Sequence, residues 1–150
     1  MLSLPLAQSF RPIDSAPTYP SCVITPRVLA WIAFGGILGS LARFVVSYLW
    51  NPVAVGGFPT GTLTINVLGC LLIGMLVPVL AGHPREEHLR PFIVTGVLGG
   101  FTTFSAFALE TGVMLDEGRL GLAGVYIGAT VLLGLLAVPL GVRLTRKFAG

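Results

Sequence analysis

Four long apolar runs, separated by short polar or Gly/Pro-rich stretches, set the plan of the chain. They predict spanning helices at about residues 28–50, 60–81, 91–115 and 120–142, each close to the ~20 residues that cross a hydrocarbon core. The runs are continuous rather than alternating polar with apolar, which excludes a β-barrel. Ahead of them, residues 1–26 carry Pro5, Pro12, Pro17, Pro20 and Pro26 among serines, a composition that predicts a disordered tail. No basic stretch leads into an apolar core of signal-peptide length there. The expected organisation is therefore a tail, 1–26, and one four-helix membrane domain, 27–150.

Within each run the informative residues are the small and polar ones. In the first, Gly35 and Gly39 make a small-xxx-small step that admits a second helix, and Trp31, Tyr48 and Trp50 favour the membrane interfaces. Gly36, Ser40, Arg43 and Ser47 follow a 3–4 spacing and share one stripe. Arg43 is the only charge well inside this run; at the bilayer centre it costs about 2.5–3.5 kcal/mol on insertion scales, so it faces protein, water or a headgroup. Snorkelling and attraction of an anion both satisfy that requirement. In the second run Thr62, Asn66 and Gly69 share a face. An amide in hydrocarbon needs partners, and Asn66 meets that need through a neighbouring helix or through a passing anion. In the fourth run Gly124 and Gly128 form another small step, while Tyr126, Thr130 and Gly134 lie at four-residue intervals. That line is either a hydrogen-bonding track or a polar helix contact.

The third run contains the least regular stretch, Gly96-Val97-Leu98-Gly99-Gly100-Phe101-Thr102-Thr103-Phe104-Ser105-Ala106-Phe107. Glycines lose backbone entropy on ordering and adjacent threonines are stiff at χ1, so the segment favours an interrupted helix. A membrane helix breaks only where protein or a cavity re-satisfies the freed backbone groups. A binding or conduction site at mid-membrane and a tight glycine-rich helix contact are the two readings.

Composition narrows the class. Only 10% of the 150 residues are charged, against about 25% in an average soluble domain, and the mean hydropathy is +0.90. The net charge of +3 is spread over the tail, loops and helix ends, which suits anionic headgroups and gives no reason to invoke nucleic acid. Arg11, Arg27, Arg85, Arg90, Arg143, Arg146 and Lys147 fall on one side of a four-span topology, with Arg119 on the other. The positive-inside rule then places both termini in the cytoplasm. Cys22 and Cys70 lack zinc-ligand spacing, and His83 and His88 flank a polar turn, 82–90, as solvated residues.

No catalytic constellation is present: the spans hold no histidine and no paired carboxylates, so an enzyme is not expected. All six acidic residues lie in the tail, in loops or, for Glu110, near a span end. Proton-coupled cation exporters and acid-ringed cation channels are disfavoured accordingly. What remains are donors, namely amide, hydroxyls and the electropositive edges of phenylalanine rings. Phe104 and Phe107, three apart, share a helix face. This chemistry points weakly to an anion pathway and names no ion.

Three motifs carry a family resemblance: Gly35-Gly36-Ile37-Leu38-Gly39-Ser40-Leu41-Ala42-Arg43-Phe44, Gly61-Thr62-Leu63-Thr64-Ile65-Asn66-Val67-Leu68-Gly69, and residues 96–107. On these, the chain resembles the Fluc/CrcB family of fluoride ion channels over residues 28–147. The resemblance implies an all-α integral membrane protein of four transmembrane helices, the third broken, assembled as an antiparallel dual-topology dimer. It implies passive, electrodiffusive export of cytoplasmic fluoride across the cell's inner (plasma) membrane, reducing fluoride toxicity. A secondary-active exporter, such as a fluoride/proton antiporter, is the alternative.

Carried onto this sequence, the resemblance makes Phe104 and Phe107 the aromatic residues whose edges meet the ion, Asn66 the pore amide and Ser105 a nearby hydroxyl. Tyr126 and Thr130 fall on the family's polar track, and Arg43 near the vestibule. Backbone carbonyls of Gly99 and Thr102 match the positions that hold a structural sodium ion (Na+) at the dimer centre; carbonyl oxygens suit a hard cation. Two positions depart from the pattern: Ala106 stands where threonine is usual, and Gly134 where serine or threonine would extend the track. The basic residues gathered on one side are also unlike a subunit that inserts both ways. A homodimer of oppositely oriented subunits and a heterodimer with a paralogous subunit both remain open.

Overall fold

In hydrocarbon, a backbone with no water to bond must satisfy its own N–H and C=O groups, and long apolar segments therefore fold as helices. The computed structural model describes residues 24–50 and 57–149, whose regular structure is helical, with no strand among them. The helices are α1 (Pro26–Trp50), α2 (Thr60–Leu80), α3 (Glu86–Arg90), α4 (Gly99–Phe101), α5 (Phe104–Asp116) and α6 (Leu120–Ala149), with a π-helical stretch, Pro91–Leu98, joining α3 to α4. Four units are long and apolar enough to cross a membrane: Pro26–Trp50, Thr60–Leu80, Glu86–Asp116 and Leu120–Lys147. The chain is a multi-pass membrane protein. Of the expected tail, residues 1–23 lie outside the described residues, as do 51–56 of the first loop.

Local chemistry explains the ends. Pro26 opens α1 where no N–H is needed, and Thr25 Oγ1 accepts from Val28 N at 3.3 Å. Gly82 (φ 78°) and Gly118 (φ 72°) take the left-handed turn after α2 and α5. The polar turn expected at 82–90 is partly helical. Glu86 and Glu87 occupy the first turn of α3, His88 and Arg90 its last, and Arg90 pairs with Glu86 at 3.1 Å. Pro91 has no N–H to continue the α ladder, and there the spiral widens into the π-helical stretch. At the other end of the chain α6 runs past residue 142 to Ala149, where Thr145 Oγ1 donates to Met75 O at 2.9 Å.

The helices pack as two parallel pairs. A Cβ on Gly35 would strike Phe92 O, and one on Gly39 would strike Val97 O, so the small step of α1 seats the first half of the third span against bare backbone. Gly100 returns the contact: a Cβ there would lie 2.6 Å from Gly36 O. In the second pair a Cβ on Gly74 of α2 would strike Val138 O, and one on Gly141 of α6 would strike Leu71 O. Among the described residues nothing lies within 4 Å of a Cβ at Gly124 or Gly128, the expected step; Gly74 and Gly141 make the close approach instead. The second half of the third span, α5, lies against α6 and closes a small core of Phe107, Met114, Ala123 and Tyr126.

Candidate functional site

Near the middle of the third span the backbone leaves the helix for two residues. Thr102 (φ −77°, ψ 157°) and Thr103 (φ −149°, ψ 119°) are extended between α4 and α5. The freed groups have identified partners. Thr102 N and Thr102 Oγ1 both donate to Leu98 O, at 3.0 and 2.9 Å. Thr103 N donates to Asn66 Oδ1 at 2.8 Å, and Asn66 Nδ2 donates to Thr103 O at 2.9 Å. Thr103 Oγ1 accepts from Ala106 N at 3.2 Å and caps α5, and it lies 3.2 Å from Ser105 Oγ. Of the two roles open to Asn66 in the sequence, the structure records the interhelical bond.

An open groove of about 480 Å³ lies beside this segment. Asn66, Gly99, Thr102, Thr103, Phe104, Phe107 and Thr130 line it, together with apolar residues of α2 and α6, and no charged side chain does. The two phenylalanine rings sit 5.5 Å apart, tilted by 52°. They differ in setting: Phe104 is 78% exposed, whereas Phe107 is buried, its ring 5.2 Å from that of Tyr126. Thr130 Oγ1 is turned onto its own helix, donating to Tyr126 O at 2.8 Å. Gly134 also lines the groove; a Cβ there would lie 3.5 Å from Cys70 Sγ, which limits what a larger residue could add.

Three expected site residues are absent from the groove lining. Ser105 is exposed and bonded to Thr103. Arg43 is half-buried on α1, one turn beyond Gly39, with no acidic partner among the described residues. Tyr126 is wholly buried, and its hydroxyl joins a site the sequence did not assemble. Tyr126 OH donates to Glu110 Oε2 at 2.6 Å, and Thr62 Oγ1 donates to Glu110 Oε1 at 2.7 Å. Glu110 is thus held inside the helix bundle by hydroxyls from α2 and α6. The available signal was its spacing, three residues beyond Phe107 and on the same face of α5.

Because both hydroxyls serve one carboxyl group, Tyr126→Phe and Thr62→Val are each expected to destabilise the protein by about 1–2 kcal/mol. The double variant should cost measurably less or more than the two together, a coupling read by a double-mutant cycle in denaturant unfolding. Strict additivity would show that the two bonds are independent.

Gly99 and Thr102 offer neutral backbone carbonyls at this interruption, whereas Thr103 O accepts from Asn66. In a continuous helix Thr103 N–H would donate to Gly99 O, but here Asn66 takes it. Gly99 is exposed on the groove and Thr102 half-buried beside it. Neutral carbonyl oxygens at these positions fit an alkali cation better than a transition metal. No cluster of three or more His, Cys, Asp or Glu side chains occurs among the described residues.

Comparison with known proteins agrees with the sequence motifs. The family described as CrcB-like protein, Camphor Resistance (CrcB), matches residues 30–142. A fluoride-specific ion channel FluC of Paracoccus denitrificans is 47% identical over 115 residues, covering 77% of this chain and 91% of that protein. Proteins of the same name from a Ruegeria species and from Agrobacterium fabrum are 43% identical over 116 residues and 42% over 120. They cover 77% and 79% of this chain and 91% and 96% of their own lengths.

Proposed function

Because the chain belongs to the CrcB family, we propose that it forms a fluoride-selective channel through which cytoplasmic fluoride leaves passively, down its electrochemical gradient. The observation that carries this reading is the groove that Phe104, Phe107 and Asn66 line together, with no charged side chain among its lining residues. A small, strongly hydrated anion gives up water only where hydrogen-bond donors and positive ring edges replace it. Weak neutral donors let the ion bind and leave, which conduction requires. Asn66, Phe104, Phe107 and Thr130 form the proposed path, Ser105 and Tyr126 its polar flanks, and Arg43 an attracting charge nearer the membrane face.

The groove is open, and Phe104, which lines it, is 78% exposed. This supports a second subunit completing the path, in an antiparallel dimer, either a homodimer of oppositely oriented copies or a heterodimer with a paralogous chain. The interruption at Thr102–Thr103 is the proposed seat of a structural sodium ion, held by the carbonyls of Gly99 and Thr102. Its charge would lower the cost of an anion nearby. Exchanging sodium for a bulky organic cation is then expected to dissociate the dimer, as read by size-exclusion chromatography; unchanged assembly would remove the ion from the account. The proposed location is the inner (plasma) membrane, with both termini cytoplasmic.

Liposomes loaded with potassium fluoride and reconstituted protein test the mechanism. Fluoride should stay inside until a potassium ionophore relieves the opposing potential, then leave within seconds, with chloride retained. The alternative, a fluoride/proton antiporter, has one structural feature in its favour, the Glu110 carboxyl held inside the bundle. Efflux driven by a pH gradient and indifferent to the ionophore would establish it in place of the channel.

A further inference from the structure

We infer that Asn66 is a positioning residue: its side-chain amide substitutes for helical hydrogen bonding at Thr103, and thereby sets both the freed Gly99 carbonyl and the bearing of Phe104 and Phe107. The inference rests on the proposed fluoride pathway and deepens it. Asn66 meets Thr103 through two reciprocal bonds, 2.8 Å to the N–H and 2.9 Å from the amide to the carbonyl. A primary amide matches a peptide unit in this geometry, as one strand matches another. It satisfies an extended residue that the membrane interior would otherwise penalise.

The placement of Thr103 gives the contact its reach. Thr103 is 7% exposed and begins α5 as its N-cap, and Phe104 and Phe107 are the first and fourth residues of that helix. The direction in which α5 starts therefore fixes where both rings point. On the other side, the N–H that Asn66 accepts is the one that would close the ladder onto Gly99 O. One side chain on α2 thus holds open the Gly99 carbonyl and aims the rings. Oδ1 and one N–H are committed to Thr103, which leaves a single N–H of Nδ2 for any ion.

Residue-resolved amide exchange of the full chain in micelles, paired with liposome efflux of fluoride and chloride, tests this. In the wild type the Thr103 N–H, whose acceptor is Asn66 Oδ1, should exchange as slowly as amides within α5; rapid exchange there overturns the proposal without any variant. Asn66→Ala should speed Thr103 exchange by about tenfold or more while leaving α2 and α6 amides unchanged, and should reduce fluoride over chloride selectivity. Asn66→Leu is nearly isosteric, removes both bonds and should likewise deprotect Thr103, so it carries the test if Asn66→Ala fails to fold. Phe104→Ile should leave Thr103 exchange unaltered. Loss of fluoride efflux in Asn66→Ala with Thr103 still protected would mean that the amide acts on the ion alone. Wild-type protein that passes no fluoride would remove the channel reading and leave the exchange contrast standing on its own.

Discussion

Phe104→Ile is expected to slow fluoride efflux by several-fold, up to about tenfold, with folding preserved. An aromatic ring edge contributes about 0.5–1.5 kcal/mol beyond its area, and each 1.36 kcal/mol on a barrier is about tenfold in rate. Isoleucine fills similar space but carries no ring edge. Because Phe104 is 78% exposed in the single chain, its loss leaves no cavity in the subunit core. Phe107→Ile should slow efflux as strongly, but it also truncates a ring packed with Met114, Ala123 and Tyr126, at a cost of about 1–2 kcal/mol. The pair is informative for that reason. Efflux at the wild-type rate in both variants would take the phenylalanines off the pathway. A loss confined to Phe107→Ile, tracking its stability, would assign that residue to the core instead.

Gly39→Ala should have the largest effect on folding. A Cβ at this position would strike Val97 O and lie 2.9 Å from Phe101 N, so both obstacles are backbone and no side chain can move aside. The helices must separate, at about 3 kcal/mol or more, the upper range for overpacking. Its neighbour supplies the control. A Cβ on Gly36 has nothing within 4 Å, so Gly36→Ala should be neutral within about 0.5 kcal/mol or slightly stabilising through helix propensity. Denaturant unfolding in micelles measures both. Equal behaviour of the two variants would contradict the close α1–third-span contact.

These two sites also show how far the sequence could be read. The four membrane-length helices were legible because apolar runs of that length have few other solutions. Gly35 and Gly39 advertised a close contact through their spacing, but the same spacing at Gly124 and Gly128 meets nothing among the described residues. Small residues state that an approach is possible, not that a partner arrives. Asn66, Phe104 and Phe107 stood out as polar or aromatic residues in apolar runs, and they do share a groove. Their partners were hidden because they depend on how separate spans are aligned. Asn66 bonds backbone rather than a side chain with a signature of its own, and Glu110 is joined to Thr62 from 48 residues away. The continuation of α6 beyond residue 142 has no marker in the apolar pattern; Thr145 ties that turn to α2. Arg43 stood out as a charge in a span, and the structure leaves it outside the groove lining.

The reversal potential of current through the reconstituted protein in a planar bilayer, under a fluoride gradient with chloride on both sides, reports which anion passes and whether it carries its charge. A passive fluoride-selective pathway predicts a shift of about 59 mV for each tenfold fluoride ratio, the value for a single monovalent charge, whatever the chloride ratio. A reversal potential that follows chloride, or protein-dependent fluoride transport that carries no current, would contradict it.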